Sequence, residues 1–209
     1  MAKLKIVGTV SADSVRKHTK MDWDEWVTAL NKRASRSWSH QELVALLKNE
    51  FRLRAWWQQE VARGYLIAIG VREPQQTLKG TYTTTATKSL PTALKKVFSF
   101  IVSPEGQKNW LQPMYAIRIA PKGTFECDGG IFGEFRAVTT NKKIRLNWID
   151  PDWPRKTVVE VNLYAKPKGK CMIVINHTDL PTLSAKAKMH ARWRSAVDEI
   201  AIGLGSLDT

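Results

Sequence analysis

His177 is the side chain best placed to do chemistry. It ends the run Lys170 to His177, in which Cys171, Ile173, Ile175 and His177 share one face of a strand, and the two isoleucines mark that face as the inner one. An inward histidine can donate to a ligand oxygen, or move a proton as general acid or base near neutral pH. A histidine hydrogen-bonded to a loop carbonyl explains the position as well, and is preferred because no second ionisable residue is forced onto the same face. Asp179 and His190 follow in sequence, but a metal site would need a further ligand at suitable spacing. No metal or other cofactor is expected.

The remaining reactive residue types have structural explanations. Ser37, Ser39 and His40 sit where a helix should begin, so they suit capping better than a nucleophilic triad. The glycines of GGIFGEF lack phosphate-cradle spacing and open a strand, which reads as a tight turn or bulge. Cys127 and Cys171 lie in separate apolar runs without CxxC spacing and are expected to be buried free thiols.

The elements that must hold these residues follow from patterning. With 43% apolar and 25% charged residues, the 209-residue chain can bury a core and is neither disordered nor fibrous. No apolar run approaches the roughly 18 residues of a membrane span, and the start of the chain lacks a signal-peptide h-region, so an unprocessed cytoplasmic protein is expected. The formal charge of +14 favours acidic partners. Its basic residues are dispersed and outside any nucleic-acid-binding motif, which leaves nucleic acid a minor alternative.

Residues 1–10 read as a tail and 11–72 as a small helical domain. Ser11 caps a first helix; Trp23, Trp26, Val27 and Leu30 mark the buried face of a second; Ser39 and Glu42 form a capping box before a third. A last helical stretch, Leu53 to Ile69, carries Trp56, Trp57, Val61, Tyr65 and Ile69; Gly64 weakens it and Gly70 ends it. Lys32, Arg33, Arg36, Arg52 and Arg54 offer a basic patch for an acidic protein partner, although a solvated helix face is the simpler account. A polar linker, 73–79, precedes a second domain over 80–205. There a strand, two short helices (the first opened by Pro91) and five strands lead to a long amphipathic helix carrying Met189, Trp193, Val197, Ile200 and Leu204 on one face.

That order makes an α+β helix-grip fold, a curved antiparallel sheet around a long closing helix. The segments KKIRLNWID, VVEVNLYAKPKGKCMIVINHTDLP and KMHARWRSAVDEI resemble the START-like (SRPBCC) chaperone ATPase activator-homologue family, including a basic residue before the tryptophan of the last helix. The stretch from Met21 to Gly70, with its WxxW opening, Trp-Ser-His and WWxQ, is similar to a small helical domain of unknown function that precedes such domains. Two departures stand out: Leu66 follows Tyr65 where an acid is usual, and PDWPR lengthens the loop after Trp148, suggesting a rim or lid.

The resemblance implies a small apolar or aromatic ligand held between sheet and helix. Its candidate lining is Phe98, Ile101, Trp110, Leu146, Trp148, Val161, Leu163, Ile175, His177, Met189 and Trp193, the same residues that would fill a solid core. The expected function is therefore a non-catalytic binding protein. The alternatives are a regulator of a chaperone ATPase and a cyclase-type enzyme using His177.

Overall fold

The structure, a computed structural model, describes residues 4–33, 37–111, 114–115 and 118–206. The chain divides into two compact units, Met1–Gly80 and Thr81–Thr209.

In the first unit a hairpin, β1 (Ile6–Val7) and β2 (Val10–Ser11), leads into four helices: α1 (Ala12–Thr19), α2 (Trp23–Asn31), α3 (His40–Asn49) and α4 (Ala55–Ala68). The segment read as a tail thus puts Val7 and Val10 into the core. Helix starts are fixed as their side chains dictate: Ser11 Oγ accepts from Ser14 N, and Asp22 with Glu25 and Ser39 with Glu42 form complete capping boxes. Tryptophan dominates the interior because its polar edge can be satisfied there. Trp23 Nε1 donates to Val10 O at 2.9 Å, and Trp26 Nε1 donates to Thr19 Oγ1 at 2.8 Å. Trp57 is buried on α4 but Trp56 is 56% exposed, since neighbouring helical residues point about 100° apart. Arg36 of the candidate basic patch lies outside the described residues; Arg33 Nε pairs with Glu50 Oε2 at 3.2 Å.

Gly64 does more than weaken α4. A Cβ there would come within 2.3 Å of the Trp23 ring, so the missing side chain is what lets the tryptophan reach the helix. Helix propensity alone makes Gly64→Ala stabilising by about 1 kcal/mol. The clash reverses the sign, and a net loss of about 1–3 kcal/mol is expected in chemical denaturation. A more stable variant would mean that Trp23 moves freely out of the way.

The second unit begins with β3 (Tyr82–Leu90), then α5 (Leu94–Val102) and α6 (Pro104–Leu111). Pro91 stands in the bend before α5 rather than in its first turn, whereas Pro104 does open α6, with Ser103 Oγ accepting from Gly106 N. A short strand β4 (Met114–Tyr115), absent from the sequence expectation, precedes β5 (Thr124–Cys127), β6 (Ile131–Thr139), β7 (Lys143–Ile149), β8 (Thr157–Lys166) and β9 (Lys170–Leu180). These make one antiparallel sheet in the order β3-β9-β8-β7-β6-β5-β4. Alternation decides which side chains face inward: Ile144, Leu146 and Trp148 on β7, Val159, Val161 and Leu163 on β8, and Cys171, Ile173, Ile175 and His177 on β9 are all buried. Helix α7 (Leu183–Ser206) supplies the matching stripe of Met189, Trp193, Val197, Ile200 and Leu204. The architecture is the expected α+β arrangement of a sheet closed by a long C-terminal helix. Among the described residues, no helix is long and apolar enough to cross a membrane.

Candidate functional site

Register brings the aromatic centre together. Phe125 pairs with Gly133 and Gly133 with Trp148, so one row across the sheet has a gap where Gly133 lacks a side chain. The flanking rings use it, with Phe125 and Trp148 centroids 5.6 Å apart. A Cβ on Gly133 would lie 2.0 Å from Asn147 O and 2.6 Å from the Phe125 ring. Gly133→Ala is accordingly expected to cost about 3 kcal/mol in denaturant melts, the upper range of overpacking penalties. A cost below half of that would show the row to be compliant. The third glycine of GGIFGEF therefore serves close packing.

His177 lies beneath Trp148, Trp153 and Trp193, fully shielded from solvent. Trp193 Nε1 donates to His177 Nδ1 at 3.1 Å, which leaves the ring proton on Nε2. That nitrogen donates to Thr157 Oγ1 at 2.7 Å, and Thr157 Oγ1 in turn donates to Trp148 O at 3.2 Å. The chain of donors runs in one direction and satisfies every member. Burial first, and the nearby Arg192 charge second, lower the His177 pKa to about 3. The imidazole is therefore neutral near pH 7 with both nitrogens engaged inside the core. This is the core-histidine arrangement, with a side-chain hydroxyl and an indole in place of a loop carbonyl. His190 is engaged elsewhere, its Nδ1 2.9 Å from Thr84 Oγ1. The PDWPR loop delivers Trp153, half-buried, to within 6.0 Å of the His177 ring.

Phe98, Ile101, Trp110, Leu146, Trp148, Val161, Leu163, Ile175, Met189 and Trp193 all belong to one buried cluster, none more than 7% exposed. In this structure they pack on one another, Trp148 and Trp193 edge to face at 5.5 Å. Two of them, Trp148 and Trp193, also meet a residue absent from the sequence-based site, Arg192. Its guanidinium lies 4.9 Å from the Trp148 ring centroid and 5.6 Å from that of Trp193. Its Nη2 donates to Leu111 O at 2.8 Å, and its Nε is buried without an acceptor among the described residues. Cys127 Sγ donates to the same carbonyl at 2.8 Å. Burial pushes the Cys127 thiol up to about 11, so it is uncharged near neutrality and gives Arg192 no counter-charge.

Burial likewise pulls the Arg192 pKa below the usual guanidinium value, with Glu199 among the groups acting the other way. No carboxylate stands within ion-pair distance of Arg192 among the described residues. Beside it, Asn109, Trp110, Ser195, Ala196 and Glu199 complete a groove of about 170 Å³ between α6 and α7. The sequence signal for Arg192 was its place directly before Trp193, a feature of the segment that carries the family resemblance.

The fold recurs in solved structures at low identity. The chain is similar to protein MLL2253 from Mesorhizobium loti (TM-score 0.53, 18% identity, covering 61% of this chain and 98% of that one). It is similar to an HSP90 activator from Plasmodium falciparum (TM-score 0.52, 17% identity, covering 59% and 96%). It is similar also to the Aha1 dimer from Colwellia psychrerythraea (TM-score 0.51, 12% identity, covering 58% and 95%). No curated protein matches the sequence. The profile described as activator of Hsp90 ATPase homolog 1-like protein matches residues 91–205, which run from the turn before α5 through α7 and include Trp148, His177, Arg192 and Trp193. That span is more than half of the sequence, and the chain belongs to the activator of Hsp90 ATPase homolog 1-like family.

Proposed function

We propose that the second unit is a non-catalytic binding domain for a small molecule with an apolar or aromatic body and one anionic group, seated in the α6–α7 groove with that group on Arg192. The observation that carries this reading is the cation itself. A guanidinium set against two tryptophans, with a buried unpartnered Nε and no carboxylate in contact among the described residues, is costly to keep unless something anionic joins it. Arginine also matches a carboxylate or phosphate with parallel hydrogen bonds. Trp110 and Ala196 offer the apolar wall that an aromatic body needs. The enclosed, neutral His177 argues against the cyclase-type reading, because it has no proton to give near pH 7 and no free nitrogen to receive one.

The test is a fluorescence titration with naphthalene-2-carboxylate and its methyl ester. The acid is expected to bind saturably and the ester at least tenfold more weakly, and equal binding of the two counts against Arg192 as anchor. A second reading, docking on the acidic surface of a chaperone ATPase, is favoured by the family and by the +14 charge. It requires that the chain stimulate a purified chaperone ATPase, and that Arg192→Gln leave the stimulation intact.

A further inference from the structure

The first unit carries a second cationic concavity, built independently of α7. Helix α4 presents Gln59, Glu60 and Arg63, and α3 contributes its first residue, His40. After α4 the chain reverses at Gly70, whose φ of +73° suits glycine, and the amides of Val71 and Arg72 both donate to Leu66 O. This reversal brings Arg72 back beside Arg63. Each arginine is pinned through one terminal nitrogen: Arg63 Nη2 donates to Pro74 O at 2.9 Å, and Arg72 Nη2 donates to Gln76 O. The Nε atoms of both are buried without an acceptor among the described residues. With Gln76, Thr77 and Leu78 these residues line an open concavity of about 320 Å³.

Two like charges are thus fixed next to one another, and neither is ion-paired among the described residues. Burial first and the Arg63 charge second lower the Arg72 pKa, opposed by Glu60. Flexible surface arginines avoid such an arrangement by swinging apart; these are held by backbone carbonyls. His40 faces the same concavity and donates through Nε2 to Gln59 O at 3.4 Å, so its Nδ1 is an acceptor in the neutral ring and becomes a second donor, towards an anion, only when the ring takes a proton. Two guanidinium groups, with an imidazole that an arriving anion would help to protonate, match a doubly charged tetrahedral anion, which accepts several hydrogen bonds at once.

We propose that His40, Arg63 and Arg72 form an anion site that takes a phosphoryl group, either free phosphate or that of a small phosphomonoester. The volume exceeds what a phosphate ion fills, and Leu78 supplies an apolar wall for an organic remainder.

The test uses the full chain, titrated calorimetrically with inorganic phosphate at constant ionic strength against chloride. Saturable binding is expected, with Arg63→Gln and Arg72→Gln each weakening it at least tenfold and Arg72→Lys falling between. The His40 ring resonances in the unaltered protein provide a measure that does not depend on the variants folding. Burial, Arg72 and Arg63 now hold the His40 pKa low against the Gln59 carbonyl and Glu60. A bound anion offsets the two arginines, so the titration midpoint should move up. Phenyl phosphate binding more tightly than inorganic phosphate assigns the site to an ester, and equal affinities assign it to the free ion. Binding reproduced by chloride, a His40 midpoint indifferent to phosphate, or glutamine variants within twofold of the unaltered chain would overturn the site.

Discussion

Replacing His177 with alanine should cost the second unit about 3–5 kcal/mol and remove a component of its acid sensitivity. The Trp193 indole N–H and the Thr157 hydroxyl both bond the ring, and truncation leaves the indole donor buried without its acceptor. A cavity beneath Trp148 and Trp153 adds to the loss. The pH dependence has a defined sign. In the unfolded chain the imidazole takes a proton as pH falls through its ordinary value of 6.5, whereas in the fold it stays neutral down to about 3. Between those limits the unfolded state binds the extra proton, so stability is present above the window and is lost as pH falls through it, by roughly 5 kcal/mol across the whole range. His177→Leu, which keeps bulk but cannot titrate, lacks this component. The stability gap between the unaltered protein and the leucine variant should narrow as pH drops from 6.5 towards 3. Urea unfolding followed through the Trp193 indole N–H signal measures that gap. A gap constant with pH would mean that His177 charges inside the fold, reopening an acid–base role for it.

Much of this framework was legible because period and parity are local. Cys171, Ile173, Ile175 and His177 alternate with polar residues, and a pleated strand must put them on one side. The stripe through Met189, Trp193 and Val197 needed only helical spacing to be recognised as the partner of that sheet. Capping boxes at α2 and α3 rest on contacts three residues apart, and that at α3 was read directly from Ser39 and Glu42. What escaped depends on distant neighbours. The two-residue strands β1, β2 and β4 are too short to show a period and exist through their pairing. Gly64 looked like a weakness because nothing in its own helix reveals that Trp23 needs the space. The candidate lining residues were identified as inward, but inwardness does not tell a packed core from a lined cavity, and here the tryptophans fill the interior around His177. Arg192 falls outside the apolar stripe of its helix, and nothing in that spacing reveals its contacts. Its stem follows the tryptophan surface, so that the charged head rests on rings whose positions are set by β7 and by the next residue of α7.

Arg192→Met should separate binding from stability, with affinity for naphthalene-2-carboxylate falling about 100-fold while the ligand-free protein loses less than about 1 kcal/mol, or gains. The binding estimate follows from a charge-assisted pair in a partly dry site, where removing one partner costs about 2–3 kcal/mol. The stability estimate follows from opposing effects. Methionine gives up one charged hydrogen bond to Leu111 O and the attraction of the Trp148 and Trp193 rings, about 2–4 kcal/mol together. It also relieves the cost of keeping a guanidinium and its unpartnered Nε out of water, a cost of similar size. The Leu111 carbonyl is not orphaned, because Cys127 Sγ still donates to it. A structural arginine would behave differently, since its removal would lower stability by 2–3 kcal/mol in the same measurement and weaken acid and ester alike through a disturbed groove. Titrating both ligands into the methionine variant, beside denaturation of the ligand-free protein, therefore reads the role of Arg192 from two independent quantities. Residues retained at a cost to the empty protein and recovered on binding are a mark of function, and that exchange is what the α6–α7 groove is expected to show.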